Sequence, residues 1–132
     1  MLGHIGINVP DLEIARRYYA DLMPLIGFES FLDDRDQFGY RPASGKRGTY
    51  IFFYPTRSPE TYHRDITTGL QHLAFMVRTR DVVDDVHEWA AQTGSEVLHA
   101  PREFPEYPPP YYATFWLDPF GIMLEAVCHY AD

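Results

Sequence analysis

Three side chains in this sequence have the types and spacing to hold a metal ion: His4, His72 and Glu125. His4 opens the run His4-Ile5-Gly6-Ile7-Asn8-Val9. His72 opens His72-Leu73-Ala74-Phe75-Met76-Val77, so that a Val stands five residues after each His. Glu125 lies inside Met123-Leu124-Glu125-Ala126-Val127, an apolar run where a carboxylate is costly to bury unless paired or bound to a cation. Two imidazoles and one carboxylate fill three positions of an octahedral divalent ion and leave the others open. A substrate with two adjacent oxygens can chelate the ion through the open positions, and the ion then acts as a Lewis acid or lowers the pKa of a bound group. Mn, Fe, Ni, Zn and Mg all accept such ligands, so the expectation is one divalent ion per chain, its identity unassigned. Taken singly, a strand histidine is more often a satisfied structural residue. The repeated position of His4 and His72, together with Glu125, singles these residues out; no catalytic acid, base or nucleophile is assigned.

The elements that must position them repeat along the chain. Ile5, Ile7 and Val9 alternate with Gly6 and Asn8, and Leu73, Phe75 and Val77 alternate with Ala74 and Met76, the period of a strand with one buried face. A helix follows each strand. The first has Asp11 as N-cap, Glu13 in its first turn, and Leu12, Ala15, Tyr19 and Leu22 at helical spacing. The second opens at Thr79 or Asp81 and carries Val82, Val86, Trp89 and Ala90 on one stripe. Gly27 and Gly94 stand 23 and 22 residues after His4 and His72, where a left-handed C′ residue would end each helix. Strands are expected over Phe28 to Leu32, Phe38 to Arg41 and Thr49 to Tyr54, and again over Glu96 to His99, Tyr112 to Leu117 and Ile122 to His129. Asp118-Pro119-Phe120-Gly121 is a turn signal matched by Ser44 to Gly48. Each half is therefore βαβββ, and the fold class is α+β. The first module spans 1–57, a linker 58–68 and the second module 69–132, together one compact domain. Pro101 to Pro110 holds five prolines and should be stiff, extended and superficial.

Aligning the halves on Gly48 and Gly121 puts Phe52 in the place that Glu125 holds. Tyr50, Phe52 and Tyr54 share one strand face, where core packing and pocket lining are equally open readings; with Tyr112 they are the candidate substrate pocket. Tyr107, Tyr111 and Tyr112 flank the proline-rich segment, which reads either as a lid or as an ordinary surface crossing. His129 shares the parity of Glu125 but lies at the strand end and reads as peripheral, while His63, His87 and His99 read as surface residues. Arg41 and Arg102 are candidates for pairing with an anionic substrate, with solvent as their default. Cys128 reads as a small buried hydrophobe.

Composition narrows the function classes. The net charge of −8 over 132 residues, with eleven scattered Lys and Arg, argues against nucleic acid as a partner. No apolar run is long enough to cross a bilayer, and Met1-Leu2-Gly3-His4 does not look like a signal peptide. One cysteine cannot form an internal disulfide, which points to the cytoplasm. Aromatic residues make up 16% of the chain, including ten Tyr and nine Phe, suited to lining a small-molecule pocket. One βαβββ unit leaves sheet edges and an apolar face uncovered, so a homodimer or close pairing of modules is expected.

The sequence resembles the vicinal oxygen chelate superfamily, also called the glyoxalase, bleomycin resistance protein and extradiol dioxygenase superfamily. The likeness rests on Gly3-His4-Ile5-Gly6-Ile7-Asn8-Val9-Pro10-Asp11-Leu12 with Arg17-Tyr18-Tyr19, on Gly69-Leu70-Gln71-His72-Leu73-Ala74-Phe75, and on Leu117-Asp118-Pro119-Phe120-Gly121-Ile122-Met123-Leu124-Glu125. It covers nearly the whole chain. It implies that the two modules pair into a cupped mixed sheet with the metal inside, and it matches His4, His72 and Glu125 to the family's ligand positions. Resemblance to glyoxalase I would also call for a fourth ligand, usually Glu, where Phe52 stands. Members with three ligands include thiol transferases that inactivate fosfomycin and extradiol dioxygenases, but the cation-binding loop of the former and the added acid–base His of the latter have no clear match. The function implied is a divalent-metal-dependent lyase, dioxygenase or thiol transferase acting on a small oxygen-rich molecule. The alternative is a metal-free small-molecule binding protein of the bleomycin-resistance kind.

Overall fold

The computed structural model describes residues 1–58, 60 and 62–131. Residues 59 and 61 of the expected linker, and residue 132, lie outside the described residues. The chain divides into two compact units, Met1–Thr61 and Tyr62–Asp132. The first runs β1 (His4–Val9), α1 (Leu12–Leu25), β2 (Phe28–Asp34), β3 (Gln37–Pro42) and β4 (Tyr50–Pro55). The second runs β5 (Leu73–Val77), α2 (Arg80–Gln92), β6 (Val97–Glu103), β7 (Tyr112–Leu117) and β8 (Met123–Cys128). Each forms one four-stranded mixed sheet, ordered β1-β4-β3-β2 and β5-β8-β7-β6. In each, the first and last strands pair in parallel and the other neighbours pair antiparallel. Both units are therefore βαβββ modules of the same topology, as the repeat implied.

Local chemistry explains the element boundaries. Asp11 accepts the Ile14 N–H at 3.0 Å and caps α1; Thr79 Oγ1 accepts the Val82 N–H at 3.3 Å and caps α2. Gly27 and Gly94 follow the helices at φ +88° and +79°, a left-handed conformation that costs glycine little. In the first unit α1 buries Ala15, Tyr19, Leu22 and Met23, and the Tyr19 ring lies 4.3 Å from that of Phe53, which stacks on Phe38 at 4.7 Å. In the second unit α2 buries Val83, Val86 and Ala90, with Val82 and Trp89 only half-buried. Val86 and Ala90 are thus buried as expected, with Val83 buried in place of Val82 and Trp89.

Several strands differ in extent from the hydrophobic runs, and β8 is shorter than expected, Met123–Cys128. β2 continues to Asp34, and β6 starts at Val97 and runs through Pro101 to Glu103. A proline is tolerated there because β6 is the sheet's edge strand and its register shifts between Val97 and His99 and again between His99 and Arg102. Beyond Glu103 the proline-rich segment folds back, with the Phe104 N–H donating to Tyr111 O at 2.9 Å. Asp118 fixes the β7–β8 turn: its Oδ1 accepts the N–H groups of Phe120 and Ile122, both at 2.9 Å, and the residue is almost fully buried.

Candidate metal centre

Glu125 sits in β8 between two partners, Ala74 of β5 and Phe115 of β7. Strand alternation gives β7 and β8 two faces. Leu124, Ala126, Thr114 and Trp116 pair on one, and Tyr112 on that same face hydrogen-bonds Asp84 of α2 at 2.7 Å. Glu125, Phe115 and Ala113 occupy the other. There Phe104, Ala113, Phe115 and Val127 form an apolar cluster edged by Leu98, Tyr111 and Met123.

A carboxylate in such surroundings is 1% exposed. Its Oε2 accepts a hydrogen bond from the Tyr111 hydroxyl at 2.5 Å. Its Oε1 lies 3.4 Å from His72 Nε2 and makes no hydrogen bond among the described residues. That separation is an ion-pair distance if the imidazole is protonated. Burial pushes the Glu125 carboxyl above the usual range, opposed by the Tyr111 hydroxyl and by His72 and His129 nearby. Burial and the adjacent carboxylate together push the Tyr111 hydroxyl well above an ordinary phenol. His72 stands immediately before β5, partly exposed, with Nδ1 2.5 Å from Gln71 Oε1. The His129 ring meets Tyr111 edge-on at 5.0 Å, and His99 meets Phe115 at 5.5 Å.

The first unit repeats this frame with different side chains. Gly6 pairs with Phe52 as Ala74 pairs with Glu125, so Phe52 holds the register position of the carboxylate. The His4 ring meets Phe52 edge-on at 5.7 Å. Tyr50, Phe52 and Tyr54 are half-buried, alternating with the core residues Ile51 and Phe53. Phe31 packs on Tyr50 at 5.2 Å, and the Arg41 guanidinium, bonded to Glu29 at 2.9 Å, lies 5.1 Å over the Phe31 ring. Gly39 makes room for Phe52: a Cβ there would come 2.6 Å from Phe52 Cδ1.

The pattern of the Glyoxalase/Bleomycin resistance protein/Dioxygenase superfamily matches residues 1–126. The chain belongs to that superfamily. A solved glyoxalase-type structure from Bacillus halodurans is similar at 32% identity, covering 97% of this chain and 95% of that one, with a TM-score of 0.81. A superfamily domain from Frankia sp. EAN1pec shares the fold at 21% identity and a TM-score of 0.75, covering 98% of each chain. The protein YqjT of Bacillus subtilis, which is uncharacterized, is 28% identical over 129 residues, 96% of this chain and 97% of its own.

Within this superfamily member, His72 and Glu125 come together in the second module, while His4 is described within the first. Among the described residues no three His, Cys, Asp or Glu side chains form a ready metal-binding group. The pair nevertheless fits a cation: a buried carboxylate oxygen without a donor faces an imidazole nitrogen, and a divalent ion would satisfy both. Tyr112 differs from its expected place, since it turns to α2. Tyr111, one residue earlier, is the tyrosine on the carboxylate's face. His99 and His129, expected at the surface and the periphery, pack against that face's aromatic residues while remaining exposed.

Proposed function

We propose that this superfamily member is a divalent-metal-dependent enzyme acting on a small oxygen-rich substrate that chelates the ion, with His4, His72 and Glu125 as the protein ligands. The observation that carries the reading is Glu125 Oε1, buried, without a donor, and 3.4 Å from His72 Nε2. A buried carboxylate oxygen left without a partner costs stability, and a cation is the partner that two facing ligand atoms invite. His4 is the third ligand in this reading because it stands two residues before Gly6, the partner of Phe52, as His72 stands two before Ala74, the partner of Glu125. When bound, a divalent ion polarises a chelating oxygen or lowers the pKa of a bound group. The chain's own residues do the rest: Tyr111 and His72 flank the carboxylate, and Phe115 and Phe104 keep its face apolar and poor in water. Tyr50, Phe52 and Tyr54 offer a second half-open aromatic face for the substrate's body.

In this reading the protein acts in the cytoplasm, where the buried Cys128 stays a thiol, and works as a homodimer. Among the described residues no helix is long and apolar enough to cross a membrane. A second reading, a metal-free small-molecule binder, draws on Phe52 standing where the first module would otherwise have a carboxylate. One experiment separates the two. Purified protein is reconstituted with Mn, Fe, Ni, Zn or Mg and analysed for metal, then screened against vicinal diols, hydroxyketones and thiol adducts. About one ion per chain with turnover of one substrate class supports the enzyme and chooses between lyase, dioxygenase and thiol transferase. Ligand binding without metal under every ion supports the binder. Sedimentation at micromolar concentration tests the dimer.

A further inference from the structure

We propose that Gln71 and Tyr111 are positioning residues that leave the centre one free atom on each ligand: Nε2 of His72 and Oε1 of Glu125. This rests on the metal reading above and adds what prepares the ligands before any ion arrives. The five side chains form a chain of contacts. Gln71 donates its amide N–H to Asp65 Oδ1 at 3.5 Å, which turns its Oε1 towards His72 Nδ1 at 2.5 Å. An amide oxygen only accepts, so Nδ1 carries the proton and Nε2 carries the lone pair. At the other end the Tyr111 hydroxyl donates to Glu125 Oε2 at 2.5 Å, which removes that oxygen from competition and leaves Oε1 as the open one.

Tyr111 is itself held in place. Its carbonyl accepts the Phe104 N–H at 2.9 Å, and its ring is packed by Phe104 at 5.9 Å, Tyr107 at 4.9 Å and His129 at 5.0 Å. The fold-back of the proline-rich segment thus sets the rotamer of a buried carboxylate in β8. A carboxylate free at both oxygens can bind an ion through one or two of them. Here the tyrosine engages Oε2 and so would favour holding an ion through Oε1 alone.

Co(II) is the probe, because its d–d absorption reports coordination and its titration reports affinity. Wild type, Tyr111→Phe, Gln71→Leu and Gln71→Glu are titrated, and each metal-free protein is melted in a chelator. Tyr111→Phe is expected to change the d–d bands, since Oε2 becomes available, and to weaken binding by about 10–100-fold. Gln71→Leu is expected to weaken it by a similar factor, and Gln71→Glu, which keeps an acceptor on Nδ1–H, to restore it. Gln71 is exposed, so its variants fold whether or not Tyr111→Phe does. Wild-type bands and affinity in Tyr111→Phe and Gln71→Leu, with or without a lower melting temperature, overturn the proposal while leaving the metal reading intact. No Co(II) uptake by the wild type overturns both.

Discussion

Replacing Glu125 by Gln should stabilise the metal-free protein while destroying its hold on a divalent ion. The side chain is 1% exposed, one oxygen is satisfied by Tyr111, and the other has no donor. An unsatisfied buried acceptor costs about 1–3 kcal/mol, and more when it carries charge. Gln keeps the shape and lets its carbonyl oxygen accept from Tyr111. Its amide then points at His72 Nε2 across the 3.4 Å gap, and the N–H donates to the lone pair there. The strain of a buried charge disappears and one hydrogen bond appears. A gain of about 1 kcal/mol corresponds to a few degrees in melting temperature for a domain of this size. In the metal-bound state the sign reverses. On the proposed ligand set the only anionic ligand is lost, and affinity should fall by at least the roughly 10–100-fold seen for partners one shell further out. The assay is a pair of measurements on wild type and Glu125→Gln: melting in a chelator, and titration of Mn(II) or Co(II). A lower melting temperature in the chelator together with unchanged affinity would refute the reasoning, because it would mean that the carboxylate serves the fold and not an ion.

Other outcomes follow from the same geometry. If the proposed ligand set is right, His4→Ala and His72→Ala should each weaken metal binding, and neither should add to Glu125→Gln; titration of the double variants checks this. Gly39→Ala should lower the melting temperature by an amount equivalent to about 1–3 kcal/mol, as overpacking does, because its Cβ would lie 2.6 Å from Phe52 Cδ1. Adding Phe52→Ala should recover part of that loss in a double-mutant cycle. The Arg41 guanidinium and the Ser44 N–H hold the Glu29 carboxyl below its usual range. This contribution is present above the unfolded-state value of 4.5 and is lost as pH falls through the lower folded-state value. Glu29→Gln should therefore show a shallower loss of stability between neutral pH and acid, read by chemical denaturation across pH, and added salt should shrink the difference because the pair is exposed.

The modules were legible because their cues are local. Asp11, Thr79, Gly27 and Gly94 punctuate helices through backbone chemistry that needs no tertiary context. Glu125 stood out because a charge in an apolar strand must be compensated, and its equivalence to Phe52 followed from the turn glycines and holds in the observed register. Tyr111 stood out only as a residue flanking the proline-rich segment, because it precedes β7 and its contact with Glu125 depends on the fold-back to Phe104, a pairing that periodicity does not specify. The same gap led to Tyr112, which alternation turns towards Asp84. His99 is exposed as expected, while its contact with Phe115 was hidden because the bulges flanking it in β6 break the alternation that would have assigned its side. The passage of β6 through Pro101 was hidden for a related reason: a proline argues against a strand until the strand is known to lie at an edge.

The parallel pairing of β5 with β8 bears on when each module can assemble. The antiparallel neighbours β7 and β8 are joined by the tight Asp118–Gly121 turn, so they can zip as soon as both exist. Ala74 and Glu125, in contrast, meet only after a helix and two strands have been placed between them. Closing that span carries the largest loop entropy in the unit, and the same holds for β1 on β4. His72 therefore reaches Glu125 at the last closure, when β7 and Phe115 already cover the carboxylate's flank. In the proposed metal reading, the second module can present its pair of ligand atoms only once nearly its whole length has been placed.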